Sequence, residues 1–232
     1  MNLSIIIPCY NEEKTIIQIL KKIHKNVNFD YEIIIIDDFS NDKTHEILLQ
    51  NKDLYNTLIK NDKNYGKGFS LRKGFKIANG DLILIQDADL EYDPIDYKNL
   101  LKPLLDGKAD VVYGSRFWGG GSRKIHFFWH TMANKILTLF CNIRTNLNLT
   151  DMECGYKIFK KEKLEEINLE ENSFGFEPEI TIKLAKKNIS FYEVGVNYYG
   201  RSYKEGKKIS FKDAVRAFYI IFFCYIRNDK KK

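Results

Sequence analysis

The feature that most constrains the fold of this chain is the run from Tyr31 to Ile36, which ends in four consecutive isoleucines, Ile33-Ile34-Ile35-Ile36. A strand with one wet face alternates apolar and polar side chains, because successive residues point to opposite faces. A strand apolar at consecutive positions is covered on both faces, which is the condition of a parallel sheet flanked by crossover helices. Leu3–Ile7, Tyr55–Lys60, Asp81–Gln86 and Ala109–Tyr113 read as further strands. Between the first two, Ile16, Ile17, Ile19, Leu20 and Ile23 recur at helical spacing. Asn11 is placed as the helix cap, with Glu12 and Glu13 in the first turn. Asp42 caps a second, short helix, the loop Asn61–Gly68 leads into a third, and Pro94 opens a fourth. Repeated strand–helix–strand units cross over right-handed, so the expected architecture is α/β, a mainly parallel sheet with helices on both faces. With 232 residues, 44% of them hydrophobic, the chain can bury one sizeable core, and residues 1–210 are expected to form a single domain.

The second half is less regular. Gly119-Gly120-Gly121 reads as a hinge-like loop, Phe127–Asn142 as a long amphipathic helix and Tyr156–Phe159 as a short strand. Phe176–Lys187 reads as a helix and Ser190–Tyr198 as a strand. Residues 211–232 read as an amphipathic helix, Phe211–Arg227, with a basic tail. Its segment Ala217–Ile226 is almost wholly apolar and is flanked by Arg216, Arg227 and Lys230-Lys231-Lys232, a pattern suited to the headgroup layer of an anionic membrane. No stretch has the length of a membrane span, and the N-terminus carries no secretory leader pattern. Together these indicate a cytoplasmic protein, peripheral on the inner membrane face.

In an open α/β sheet, ligands bind beyond the carboxyl ends of the strands. Four polar motifs fall at that end: Tyr10-Asn11-Glu12, Asp37-Asp38, Asp87-Ala88-Asp89 and Gly114-Ser115-Arg116. In the third, an apolar strand delivers two carboxylates two residues apart, with Glu91 following. Hard divalent cations such as Mg2+ or Mn2+ take oxygen ligands, and often only one or two from protein when phosphates supply the rest. A metal there can neutralise the charge that builds on a departing nucleoside diphosphate. A carboxylate at the end of the second strand, Asp37 or Asp38, can accept hydrogen bonds from a base or a ribose.

Charge and cysteine usage exclude other classes. The net charge of +6, from 37 Lys+Arg against 31 Asp+Glu, suits an anionic ligand or membrane surface but is too small to imply nucleic acid. Cys9, Cys141, Cys154 and Cys224 form no C-x-x-C pair and read as reduced thiols. His126 and His130 have zinc-like spacing but no companion ligand. A nucleotidyltransferase would carry a Gly- and Arg/Lys-rich loop after the first strand, where this chain has Pro8-Cys9-Tyr10-Asn11-Glu12. A non-catalytic sugar- or nucleotide-binding module remains a minor alternative.

The ordered set Pro8–Glu12, Ile36–Asp42 and Gln86–Glu91 resembles family 2 glycosyltransferases. Gly114–Phe117, Leu149-Thr150-Asp151 and Gly155-Tyr156-Lys157 extend the resemblance to the dolichol-phosphate mannosyltransferase branch and its polyprenyl-phosphate relatives. The resemblance covers nearly the whole chain and implies a GT-A, Rossmann-like fold and an inverting transfer from a nucleoside diphosphate sugar, GDP-mannose or a UDP-hexose. It implies that Pro8, Tyr10 and Glu12 line the nucleotide pocket and that Ile36 with Asp37 or Asp38 contacts base or ribose. Asp87, Ala88 and Asp89 would hold the sugar nucleotide, with the metal on Asp89 and on Asp87 and Glu91. Arg116 would reach a phosphate or the acceptor, and Arg201 and Lys207 match a basic loop that closes over pyrophosphate. The implied acceptor is a polyprenyl phosphate at a membrane surface, already ionised and needing no base. A hydroxyl acceptor, in a surface polysaccharide or a diacylglycerol, is the alternative; it needs a general base, for which Asp151 or Glu153 is the candidate. His126, Phe127, His130 and Met152-Glu153-Cys154 depart from the branch, all on the acceptor side.

Overall fold

Ile33–Ile36 lie inside β2 (Tyr31–Asp37), which pairs in parallel with β1 (Leu3–Cys9) on one side and β3 (Thr57–Lys60) on the other. The structure, a computed structural model, describes residues 2–118, 127–201 and 211–223. The remaining strands are β4 (Leu82–Ile85), β5 (Val111–Ser115), β6 (Lys157–Lys160) and β7 (Phe191–Gly195). The seven run in the order β3-β2-β1-β4-β6-β5-β7. All pairings are parallel except those of β6, which runs antiparallel to both β4 and β5. The mainly parallel sheet is thus as expected, with one reversed strand where the chain returns from its second half.

The period of two divides the isoleucines between two cores. Ile5, Ile7, Ile33 and Ile35 face a layer that includes α1 (Ile16–Asn26), α2 (Thr44–Gln50) and α4 (Tyr97–Leu105). Ile6, Ile34 and Ile36 face the opposite layer, with α3 (Lys67–Ile77), α5 (Phe128–Thr145), α7 (Phe176–Ala185) and α8 (Phe211–Phe223). A short helix, α6 (Lys161–Glu165), follows β6. On the second face α3 lies so close to β1 that a Cβ on Gly74 would stand 2.4 Å from Ile6 Cγ2. The helix α8 shares this core through Ala217 and Ile221, so one of its faces is packed against the domain.

Two local expectations are corrected and a third holds. Asn11 does not cap α1: its backbone is left-handed (φ 50°) and its side chain accepts from the Asn41 N–H, tying the β1 and β2 loops together. The helix starts later, at Ile16, because residues 10–15 turn across the strand ends. Pro94 opens a 3-10 turn, Pro94–Asp96, that runs into α4 at Tyr97. Asp42 does accept the N–H of Thr44, the first residue of α2. The Gly119–Gly121 loop, His126, Lys207 and everything after Phe223 lie outside the described residues. Among those described, no helix is long and apolar enough to cross a membrane.

Candidate active site

β1 continues to Cys9, but its pairing with β4 stops at Ile6. Pro8, with no N–H to offer a neighbour, stands where the two strands have parted. The opening becomes a cavity of about 340 Å³ at the carboxyl ends of the strands. Pro8 lines it from β1, Tyr10 and Glu12 from the loop after β1, Asp38 from just past β2, and Asp87, Ala88, Asp89 and Glu91 from the loop after β4. Arg116, from the end of β5, and Arg201 complete the wall. These expected site residues are brought together, whereas Ile36 and Asp37 are not. Ile36 is fully buried in the second core. Asp37 is fully buried too, accepting from Ser40 N, with His45 Nδ1 2.9 Å from its other oxygen. Asp38, one residue on, points the other way. It binds the N–H groups of Tyr65 and Gly66 and the amide of Asn61, and so shapes the loop that leads to α3. Gly66 has φ 102°, and a Cβ there would meet the Asn172 carbonyl at 2.5 Å.

The acidic wall is met by two cations. Lys67, at the start of α3, bridges Asp87 (2.8 Å) and Glu177 (3.1 Å). Arg201 spans Asp89 (2.6 Å), Glu91 (3.2 Å) and Glu12 (3.2 Å). The strand end is held from behind: Gln86 Oε1 accepts from the Tyr97 and Tyr156 hydroxyls, while its amide donates to the Asp87 carbonyl. Gly155 backs Asp87 so tightly that a Cβ would lie 2.3 Å from Asp87 Oδ2. Burial, then the neighbouring charges of Asp87 and Glu91, push the Asp89 carboxyl up to about 7 against the pull of Arg201. Among the described residues no group of three His, Cys, Asp or Glu stands in metal-ligand geometry. The donor chemistry nevertheless fits a hard divalent cation: three closely placed carboxylates, crowded enough that one resists ionisation.

Asp151 holds a different position from that of a base. Arg116 grips it in a fork, Nε to Oδ2 and Nη2 to Oδ1, each 2.7 Å. The Arg116 N–H adds a third bond and Asn134 of α5 a fourth. Burial alone would raise the Asp151 pKa, but the Arg116 charge and these hydrogen bonds outweigh it and hold the carboxyl below the usual range. Asp151 is fully buried and outside the cavity wall, and both its oxygens are engaged by Arg116 and Asn134, a placement that speaks against the expected general base.

Glu153, the other candidate, does line the cavity. Its Oε1 is buried without a hydrogen-bond partner, as is Oε2 of Glu177, another wall residue. Burial, followed by the Glu177 charge, pushes Glu153 up to about 8. Lys67, Glu177, Tyr92 and Tyr198 escaped the sequence reading. Tyr92 accepts from Gly155 N and Tyr198 donates to Glu91. The signal for Lys67 was the Gly66-Lys67-Gly68 turn at the mouth of a helix; the others carry no local pattern.

Comparison with known proteins adds an independent line. The sequence profile described as glycosyl transferase family 2 matches residues 4–168. An uncharacterised protein of Methanocaldococcus jannaschii is 33% identical over 217 residues, 88% of this chain and 93% of that one. A dolichyl-phosphate beta-glucosyltransferase of Trichomonas vaginalis is 29% identical over 215 residues, 84% of this chain. The chain spans 65% of the length of that enzyme. Among solved structures, glucosyl-3-phosphoglycerate synthase of Mycobacterium tuberculosis, crystallised with Mn2+, uridine diphosphate and glucosyl-3-phosphoglycerate, superposes with a TM-score of 0.68. It is 19% identical and covers 88% of this chain and 74% of its own, a likeness of fold.

Proposed function

The chain belongs to glycosyltransferase family 2, and from that premise we propose that it moves a hexose from a nucleoside diphosphate sugar, GDP-mannose or a UDP-hexose, to a polyprenyl-phosphate acceptor with inversion. The carrying observation is the acidic edge Asp87–Glu91 faced by Lys67 and Arg201 across one cavity. That alternation of charge suits a metal-bound diphosphate: anionic side chains for the cation, cationic side chains for the phosphates. Asp89, with Asp87 and Glu91, would hold Mg2+ or Mn2+, which neutralises charge on the diphosphate. The Mn2+ and uridine diphosphate in the structural neighbour, and the dolichyl phosphate in the relative's name, support the assignment. We place the chain on the cytoplasmic surface of the membrane, where such an acceptor presents its headgroup.

In the reaction an acceptor phosphate oxygen attacks the anomeric carbon as the bond to the diphosphate oxygen breaks on the opposite face. The attacking oxygen is already anionic, so no proton has to be removed. Lys67 and Arg201 supply positive charge to the departing nucleoside diphosphate. Glu177 beside Lys67 and Glu12 beside Arg201 can keep the two cations at the cavity when the Asp87–Glu91 carboxylates turn to a metal. Arg116, fixed by Asp151, presents its guanidinium to the cavity, where it suits a phosphate of donor or acceptor.

A second reading rests on Glu153. A carboxyl at about 8 in the cavity wall, with an unpartnered oxygen, has the affinity for a proton that a general base acting on a hydroxyl needs near neutral pH. The experiment compares purified wild type and Glu153→Gln with Mn2+ and radiolabelled donors, offering polyprenyl phosphate and diacylglycerol separately. The proposed reading expects label on polyprenyl phosphate and at most a small change in Glu153→Gln. Transfer to diacylglycerol alone, abolished in Glu153→Gln, would replace it with the hydroxyl reading.

A further inference from the structure

The helix α5 is apolar on two faces, burying Leu137 and Cys141 in the second core beside two polar residues. Its inward face carries Asn134 and Thr138, which bond to Asp151, to each other and to the Met152 N–H. Its outward face carries Trp129, Met132, Ile136, Leu139 and Ile143, all exposed, with Trp129 at 76% and Ile143 at 70%. Those residues follow helical spacing and share one stripe, opposite the buried one. The neighbouring α8 packs against α5 through Phe140, Phe218 and Phe222. Beyond that contact α8 presents Val215, Tyr219 and Phe223 outward, again exposed. Two adjacent helices thus each leave a stripe of large apolar residues exposed, a patch of the kind that marks an interaction surface.

Charge and composition select the occupant. Residues 128–145 contain no Asp or Glu; Lys135 and Arg144 are their full-time charges, and both are exposed. The nine residues beyond Phe223 include Arg227 and Lys230-Lys231-Lys232. Asp213 in α8 and Asp229 in the tail are outnumbered by these cations, so the aromatic-rich apolar stripe has a net positive surround that complements an anionic lipid headgroup layer, into which Trp and Tyr partition. Position agrees: Asn134 on the inner face of α5 helps to hold Asp151 and through it Arg116, so the helix bearing the stripe is bonded to the wall of the cavity. We infer that the outward faces of α5 and α8 together form one seat on an anionic bilayer, which sets the cavity at the lipid surface. The seat deepens the proposed reading, on whose lipid acceptor it rests for its purpose, but vesicle binding measures it separately.

The experiment uses the full chain and Ile136→Glu/Ile143→Glu, two exposed positions remote from the cavity. Co-sedimentation is measured with vesicles of phosphatidylcholine alone and of phosphatidylcholine mixed with phosphatidylglycerol. Thermal midpoints and donor hydrolysis without lipid serve as folding controls. Wild type is expected to bind the mixed vesicles more strongly than the neutral ones. The double variant should bind them at least about tenfold more weakly, with unchanged melting and hydrolysis, because two inserted apolar groups become charged. Equal vesicle binding by wild type and a folded variant overturns the inference. So does a wild-type dimer, dissociated by the substitutions, that binds no vesicles; the face is then a contact between copies. Vesicle binding without sugar transfer to polyprenyl phosphate leaves the seat standing and defeats the acceptor reading. Transfer in detergent without vesicle binding does the reverse.

Discussion

Replacing Asp151 with Asn separates a positioning role from a catalytic one. Every atom facing the Asp151 carboxylate is a donor: Arg116 Nη2 and Asn134 Nδ2 at Oδ1, Arg116 N and Nε at Oδ2. An amide has one oxygen and one NH2, so either flip leaves an NH2 against two N–H donors. Asp151→Asn therefore loses two bonds, sets donor against donor, and strands a buried guanidinium. Breaking one partner of a buried ion pair costs about 3–5 kcal/mol. At about 2.1 cal/mol/K of unfolding entropy per residue, the 232-residue chain should melt roughly 6–10 °C lower. Its acid dependence is a second signature. The folded Asp151 pKa lies below the unfolded value of about 3.9, so the carboxylate stabilises the fold fully above that pH and less as pH falls through the folded value. The stability gap between wild type and variant, from urea titrations in a pH series, should narrow in acid. A variant with wild-type melting at neutral pH and no turnover would refute the positioning argument and restore Asp151 as a base.

Two further outcomes concern the acidic wall. Arg201 engages Asp89 and Glu91, the carboxylates assigned to the metal, so guanidinium and metal compete when no diphosphate is present. Arg201→Gln should bind Mn2+ about tenfold more tightly in the free chain, by calorimetry or by the electron paramagnetic resonance of unbound Mn2+, while transferring sugar more slowly; weaker Mn2+ binding would count against a shared site. Gly155→Ala drives a methyl to 2.3 Å from Asp87 Oδ2 and 3.0 Å from the Tyr92 ring. A displacement of about 1 Å at a reacting centre can cost about 100-fold, and a loss of that order is expected in kcat/KM, with wild-type values excluding the close approach.

How much of this site could be read beforehand depended on whether a role was set by one segment or by two. The Asp87–Glu91 edge was legible because a buried strand and the acids that end it are contiguous. Asp37 and Asp38 were not separable, because the choice turns on strand parity at a single residue: β2 extends through Asp37, whose side chain goes to the core, and Asp38 faces the cleft. Ile36, on the opposite face from Asp37, is buried because β2 is covered on both sides. The Arg116–Asp151 fork joins residues 35 positions apart, and the Lys67 bridge joins α3 to both β4 and α7. No spacing rule reaches such pairs. A base and a structural carboxylate also look identical in sequence, since the difference lies in how many donors arrive from elsewhere.

The helix α5 shows the same point for a whole element. Its sequence is visibly amphipathic, and the ordinary reading turns the apolar stripe inward. The interior it meets, however, includes the carboxylate of Asp151 and the backbone of Met152 as well as the second core, and those polar groups must be hydrogen-bonded once buried. Asn134 and Thr138 can satisfy them and an isoleucine cannot, so these two polar residues take their place on the buried face beside Leu137 and Cys141. The apolar stripe is then left outside by the needs of the polar network that fixes Arg116. On this argument the exposed face of α5 is a consequence of how the cavity wall is built, and the vesicle measurement decides whether that face is also used against a lipid surface.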